Sequence, residues 1–325
     1  VQENLVFGAL LRCLDPVLTI AACLSNKSPF ASSMDAREAS DSARRAFAAP
    51  LPPSGMPPKG SAGALPGVRL SAGQESDHLS SAAAYNAYRH TKRTAGASAA
   101  RQVCRRHWLS EPALGMITDL RGQFFTLLRD AGLVDSSGDH AKADDMRAPW
   151  NAHASTPEMV KAVLVAGLYP NVAAATTVEV KGGSVRRKTT YKDEKGEVAV
   201  HPSSALHAAA AEGRLSFPFV AFHEKVQTSR AWIRDVTCVS PISLLLFGGE
   251  LNVLHDASEV LVDGILRVRA PAQTAVLCKE LRLLLDAELR RCIEAKRGRG
   301  DAAAGAGEKV MATIAQVLAD EAASK

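Results

Sequence analysis

Aromatic side chains are scarce. Phe, Trp and Tyr make up 5% of the 325 residues, which leaves few rings for a base-stacking platform. No apolar run approaches the ~18 residues that a membrane-crossing helix needs, so no membrane span is expected. No basic segment followed by an apolar stretch opens the chain, so no secretory signal is expected. The six cysteines, Cys13, Cys23, Cys104, Cys238, Cys278 and Cys292, form no C-x-x-C pair. The nine histidines include no pair at metal-ligand spacing beside cysteines. Free, buried thiols in a reducing compartment are therefore expected, and no metal site. The G-x-x-x-x-G-K-S/T loop that cradles nucleotide phosphates is missing, as are G-x-S-x-G and H-E-x-x-H. No catalytic residue is assigned, and the chain is expected to have no self-contained active site.

What remains is ordinary in bulk. The apolar fraction is 46% and the charged fraction 22%, enough to build a core and typical of a soluble globular protein. The length suggests about two domains. Lys and Arg total 39 against 34 acidic residues, a net charge of +5. That mild excess permits nucleic-acid binding without demanding it.

Residues 1–47 read as helices. The chain opens inside an apolar helical pattern, Leu5, Ala9, Leu10, Cys13 and Leu14, which raises the expectation of a longer protein. Asp15-Pro16 reads as a helix start, with Asp as cap and Pro at the first helical position. A third helix is predicted from Asp35 to Phe47. Residues 48–74 carry Pro50, Pro52, Pro53, Pro57, Pro58 and Pro66 among Gly, Ala and Ser, and read as a flexible insertion. Residues 77–133 return to helix, with Met116, Leu120, Phe124, Leu127, Leu128 and Ala131 as one apolar stripe ended by Gly132. A polar loop follows at 135–149, and Thr156-Pro157-Glu158 opens another helix.

From residue 176 the period alternates. Thr176–Lys181 and Ser184–Tyr191 flank Gly182-Gly183 as a hairpin. Glu197–His201, Phe217–His223, Ala231–Val236 and Val260–Val268 are further predicted strands. Together they suggest a small closed or partly open β-barrel. A helix is predicted from Pro271 to about Lys296, carrying Leu277, Leu281, Leu284, Leu285 and Leu289. Then come a Gly/Ala linker at 297–307 and a short Ala-rich helix near Glu308–Ala322. The expected fold class is α+β: a helical domain over 1–150, a barrel domain over 151–270, and C-terminal helices over 271–325.

Several strings are more specific. Cys13 to Ala22, Leu24-Ser25 and Lys27 to Phe30 resemble the ratchet-like helicase-associated domain of DEAH/RHA RNA helicases. So do Ser76-Asp77-His78-Leu79, Asn86-Ala87-Tyr88, Cys104 to Leu109 and Ile117 to Phe124. Ala162-Val163-Leu164 and Ala166 to Ala173 resemble the entry to that family's C-terminal OB-fold domain. His201-Pro202-Ser203-Ser204, Phe222 to Ser229, Ile233 to Thr237 and Leu244 to Gly249 are similar to its later strings. The Thr-Ser pair and the Gly-Gly ending look most like the large multidomain subgroup. The resemblance covers roughly residues 4–290 in order. The family's two RecA-like motor domains and most of its winged helix are missing, and the 48–74 insertion is not in its pattern.

The resemblance implies the RNA-channel region of an ATP-dependent RNA helicase. Its implied partners are single-stranded RNA, the absent motor domains in cis and an activator protein on the OB surface. No membrane partner is expected. It implies ATP and Mg for the full-length family, no cofactor for this chain, and an intracellular location in cytoplasm or nucleus. Alone, the chain is expected to hydrolyse no ATP. A motor-free RNA-binding or protein-interaction adaptor is the alternative.

For RNA contact the residue types that matter are phosphate donors. Lys225, Thr228, Ser229 and Arg230 lie within six residues, and Arg234 follows; Thr228 and Ser229 could equally cap a strand turn. His201 and Ser203 either contact RNA or staple a turn. Arg186-Arg187-Lys188 either draws phosphate or guards a strand edge. Arg105, Arg106 and His107 either face RNA or form a solvated helix surface. Tyr169-Pro170-Asn171 reads as a packed turn, and Phe217, Phe219, Phe222 and Trp232 read as core.

Overall fold

The computed structural model describes residues 2–31, 37–48, 75–134, 142–180, 186–254, 257–296 and 304–323. Positions 49–74 of the expected insertion, the Gly182-Gly183 turn and residues 297–303 lie outside the described residues.

The first half is helical: α1 (Gln2–Leu10), α2 (Leu14–Ser25), α3 (Arg37–Ala48), α4 (Asp77–Arg106) and α5 (Glu111–Asp130). Helix α2 is apolar almost all round, and every residue from Leu14 to Ala22 is buried. It is the centre against which α1, α4 and α5 pack. Helix α4 begins at a Ser76 cap, whose hydroxyl accepts from the Leu79 N–H at 3.1 Å. Gly96, at φ +84°, interrupts it, a conformation that costs glycine little and other residues much.

Two expectations here need correcting. Asp15 does not cap α2, whose cap position is Cys13 with no side-chain bond. Its carboxylate instead accepts from Arg121 Nη2 at 2.7 Å and Arg89 Nη1 at 2.9 Å. The buried face of α5 is only in part the expected stripe: Leu128 is buried and Leu120 and Phe124 pack half-buried against the core. It carries Ala113, Leu114, Ile117, Arg121, Phe125 and Leu128, while Met116 and Leu127 are exposed. Arg121 takes a place in that buried row because its guanidinium bonds Asp15 on α2.

Helix α6 (Pro157–Leu168) starts with proline in its first turn, as expected, although Thr156 makes no side-chain cap. It is buried on nearly every side. It packs against α1 of the helical half and against the strands that follow, so it joins the two halves.

The strands are β1 (Val172–Val180), β2 (Arg186–Asp193), β3 (Gly196–Val200), β4 (Phe219–Gln227) and β5 (Ala231–Val239), with α7 (His207–Ala211) between β3 and β4. They close into a barrel in the order β1-β2-β3-β5-β4. Strands β3 and β5 run parallel, with Ala199 opposite Trp232; the other pairs are antiparallel. A closed five-stranded barrel with a helix before the fourth strand is the OB architecture. Its interior holds Tyr191, Val198, Val200, Val220, Phe222, Ile233, Val236 and Cys238.

The predicted strand Val260–Val268 is two strands. After α8 (Pro241–Phe247), β6 (Leu251–Leu254), β7 (Glu259–Val262) and β8 (Leu266–Arg269) form a separate three-stranded sheet. Asp263 and Gly264 turn the chain at φ +49° and +70°, the positive pair of a tight hairpin turn. Helix α9 (Ala272–Lys296) and α10 (Ala304–Ala323) follow. The last helix is not short: it runs 20 residues and buries Met311, Ile314 and Leu318 in the largest core cluster. On α9, Leu277 and Leu284 are exposed, not packed. Arg282 of α9 caps the end of α8, donating to the Leu245 and Gly249 carbonyls at 2.7 Å each, the acceptors that a helix end leaves unpaired. Gly249 is required there, because a Cβ would lie 1.9 Å from Asp263 Oδ2.

All six cysteines are free. Cys13, Cys104, Cys238 and Cys278 are buried, and burial raises each thiol above its ordinary value. Protonated thiols of this kind are poor nucleophiles.

Candidate nucleic-acid interface

Alternation along β5 sorts the expected donors into two groups. Arg230, Trp232 and Arg234 share one face. Ile233, between them, is fully buried in the barrel. Lys225 on β4 stands opposite Ile233 in the ladder, so it belongs to the other face. Its ammonium bonds Asp193 at 2.6 Å, where the Asp193 side chain is 8% exposed. Lys225 therefore ties β4 to β2 and is not brought to the face that carries the arginines.

That face has an aromatic centre that the sequence reading placed in the core. Trp232 is half-exposed, as is Phe217, while Phe219 and Phe222 are buried. The Arg230 guanidinium lies over the indole at 5.3 Å, and the His201 ring meets it edge-on at 5.8 Å. Arg230 also reaches Glu197 at 3.5 Å and Arg234 reaches Glu224 at 3.8 Å. Exposed pairs of this kind contribute roughly 0–1 kcal/mol, so an incoming phosphate can displace them.

The His201 turn is built from its own side chains. Arg234 Nη2 lies 3.3 Å from His201 Nε2. On the other side of the ring Nδ1 accepts from the Ser203 backbone N–H at 3.1 Å and lies 2.7 Å from Ser203 Oγ. Burial, with the Arg234 and Arg37 charges, holds the His201 imidazole below its ordinary value. At the hairpin tip Thr228 and Ser229 are exposed, and the Thr228 hydroxyl closes the turn by donating to the Arg230 carbonyl at 3.2 Å. Arg186, Arg187 and Lys188 open β2, where Arg186 pairs with Val180 in the ladder; their side chains lie outside the described residues.

The same turn is locked to the helical half. The buried Asp77 carboxylate accepts from Ser204 Oγ at 2.6 Å, Ala205 N at 2.8 Å and Val236 N at 3.0 Å. Burial nonetheless pushes this carboxyl above the ordinary carboxylate range. Arg44 on α3 adds an ion pair to Asp235 at 3.2 Å. The strings Ser76 to Leu79 and His201 to Ser204 are thus two sides of one joint, which no spacing along the chain reveals.

On the helical side Arg105 and Arg106 are exposed on the last turn of α4. His107, expected beside them, is buried and packs edge-on against Phe47 at 5.6 Å. Trp108, which the sequence reading passed over, is 44% exposed and gives this basic corner a ring. Tyr169 is packed, its hydroxyl donating to the Asp263 carboxylate; burial and that bond push its pKa up to about 12.

Comparison with known proteins follows the same division. The family profile for the helicase-associated domain (HA2), ratchet-like, matches residues 4–106, and the profile for the oligonucleotide/oligosaccharide-binding (OB)-fold matches residues 160–251. The chain is 33% identical over 305 residues to the chloroplastic DExH-box ATP-dependent RNA helicase DExH4 of Arabidopsis thaliana, covering 90% of this chain and 20% of that protein. It is 29% identical over 294 residues to human ATP-dependent RNA helicase DHX29, covering 90% of this chain and 19% of the relative. Human ATP-dependent DNA/RNA helicase DHX36 is 32% identical over 297 residues, covering 90% of this chain and 26% of the relative. The chain thus spans about a fifth to a quarter of the relatives it matches.

Proposed function

The chain carries the helicase-associated and OB-fold domains of the DExH/DEAH-box RNA helicases, and from that premise we propose that it binds single-stranded RNA as one wall of a helicase channel. The observation that carries the reading is the barrel face on which Arg230 and His201 flank the half-exposed Trp232. An indole offers a stacking surface to any base, and Arg230 and Arg234 offer charge to the backbone. The Thr228–Ser229 tip adds hydroxyl donors beside them. Arg105, Arg106 and Trp108 extend the path onto the ratchet-like helices, and Arg186 to Lys188 bring charge to the β2 edge.

In this reading ATP hydrolysis belongs to RecA-like domains of a longer protein. The reading assigns no cofactor to this chain. Its sequence has no phosphate-cradling loop, and the described residues include no cluster of three or more His, Cys, Asp or Glu able to hold a metal. The reading places the protein inside the cell; among the described residues no helix is long and apolar enough to cross a membrane.

A second reading, a protein-interaction module, is favoured by one observation. Val276, Leu277, Leu283 and Leu284 form an exposed apolar stripe on α9, the kind of surface that receives partners. The test is direct binding of labelled single-stranded and duplex oligoribonucleotides to the chain, with and without ATP. The RNA reading predicts preference for the single strand, unaffected by ATP. Capture of a partner protein with no RNA affinity would move the assignment to the second reading.

A further inference from the structure

A cavity of about 260 Å³ lies in the joint between the helical half and the barrel. Its walls come from α2 (Ile20, Leu24), the start of α4 (Asp77, His78), β4 (Glu224) and β5 (Asp235), with Asn26 at its rim. Ile20, Asp77 and His78 are buried, while Asn26 and Asp235 are half-exposed and Glu224 is exposed. The cavity is therefore open on the barrel side, next to Arg234, which pairs with Glu224.

Two of its donors have nothing to donate to among the described residues: His78 Nε2 and Asn26 Nδ2. His78 is only 3% exposed, and a buried donor left unpaired costs about 1–3 kcal/mol. The proton on Nε2 follows from its neighbours. Ser76 Oγ lies 2.6 Å from Thr237 Oγ1, which lies 2.7 Å from His78 Nδ1. Ser76 Oγ already accepts from Leu79 N. If Nδ1 carried the proton, it would donate to Thr237, Thr237 would donate to Ser76, and the Ser76 hydroxyl would have no acceptor among the described residues. The reverse order, Ser76 to Thr237 to Nδ1, satisfies every hydroxyl and leaves the proton on Nε2. Burial holds the imidazole down to about 4, so the ring stays neutral and keeps this tautomer at pH 7.

The charge of the walls decides what enters. Glu224 and Asp235 line it as carboxylates already paired with Arg234 and Arg44, beside Asp77 and His223, so the charges along its walls are largely balanced and a phosphate finds little net attraction there. A neutral group that offers a carbonyl to the two donors and an N–H to the carboxylates is complementary. The lactam edge of uracil or guanine has that pattern; adenine has no carbonyl, and cytosine has no ring N–H beside its own. Ile20 and Leu24, four residues apart on α2, supply an apolar wall for a ring.

We propose that this joint cavity receives one lactam-bearing nucleobase of the bound strand, with its carbonyl accepting from His78 Nε2–H and Asn26 Nδ2–H and its N–H facing Glu224 or Asp235. The inference rests on the RNA-binding reading above and gives that interface a base preference. The backbone passes outside, along Arg234 and Arg230, while a single base turns inward.

The test is a scan of a uridine 10-mer in which each position in turn is made abasic, adenine or guanine. At one position the abasic and adenine forms should bind the chain about tenfold more weakly than uridine or guanine, the loss expected for two hydrogen bonds. His78→Phe and, separately, Asn26→Ala should abolish or shrink that difference while leaving binding of the abasic strand unchanged. Histidine ring ¹⁵N spectra of the unmodified chain give a readout that needs no variant. The His78 Nε2–H signal should move with the uridine strand and not with an adenine strand. If the strands bind but no position shows the preference and the signal does not move, the cavity proposal is overturned while the RNA reading stands. If no strand binds at all, the RNA reading falls, and this proposal with it.

Discussion

Replacing Asp15 with alanine should destabilise the helical half by about 3–5 kcal/mol, the usual cost of breaking a buried ion pair from one side. The Asp15 side chain is 4% exposed and the Arg121 side chain 5%. Arg121 Nη2 donates to the carboxylate at 2.7 Å, and Nη1 donates to the Asp15 carbonyl and the Thr19 hydroxyl. Without the carboxylate the guanidinium stays buried against the Tyr85 ring, 5.0 Å away, with no negative partner. Arg89 suffers less, because it also reaches Asp144 at 3.7 Å and Asn86 at 3.1 Å. Burial alone would raise the Asp15 carboxyl, but Arg121 and Arg89 outweigh it and hold it below its ordinary value. A carboxyl lowered in the folded state contributes stability that is fully present above the unfolded value of ~3.9 and is lost as pH falls through the folded one. Urea unfolding of the wild type and of Asp15→Ala should therefore differ by the full amount near pH 7 and converge in strong acid. Adding Arg121→Met to Asp15→Ala should recover part of the loss, because the stranded charge is gone. A loss below about 1 kcal/mol, the size of a surface pair, would refute the claim that this network ties α5 to α2.

Three further outcomes are expected. Trp232→Ala should weaken binding of a single-stranded oligoribonucleotide by about 1–3 kcal/mol, the contribution of one stacked base, without changing the far-ultraviolet circular dichroism; unchanged affinity would remove the indole from the interface. Lys225→Met should leave RNA affinity within about twofold but lower stability by about 1–3 kcal/mol, because the 8%-exposed Asp193 keeps its bond from Lys195 N but loses its cation, a split that urea midpoints and binding isotherms measure side by side. Gly167→Ala should lower the melting temperature, at a cost of about 1–3 kcal/mol, since its Cβ would lie 1.9 Å from Asn4 Oδ1 and 2.8 Å from the Asn4 backbone nitrogen.

The parts legible in the sequence were those written in local code. Pro157 and the change to an alternating period after residue 176 announced α6 and the barrel, and the Thr176–Tyr191 pattern paired as β1 with β2. The misreadings came where a side chain's partner lies far along the chain. Asp15 looks like a cap from its neighbours, but its partners are 74 and 106 residues away. Trp232 looks like core from its chemistry, but strand alternation puts it on the outer face with Arg230. His107 looks like part of a basic surface, but Phe47 covers it. The Asp263-Gly264 turn is written in local code too, but Val260–Val268 reads as one apolar run unless the turn residues are given weight. The joint was visible only as two separate strings, since nothing local says that Asp77 holds Ser204, Ala205 and Val236.

The most direct test of the RNA-binding face is the salt dependence of oligoribonucleotide affinity. Log Kd for a single-stranded 10-mer should rise linearly with log salt, and Arg230→Ala and Arg234→Ala should each reduce the slope by about 0.7, the release of one counterion from single-stranded RNA. Slopes unchanged in both variants would mean that the strand does not run across this face of the barrel.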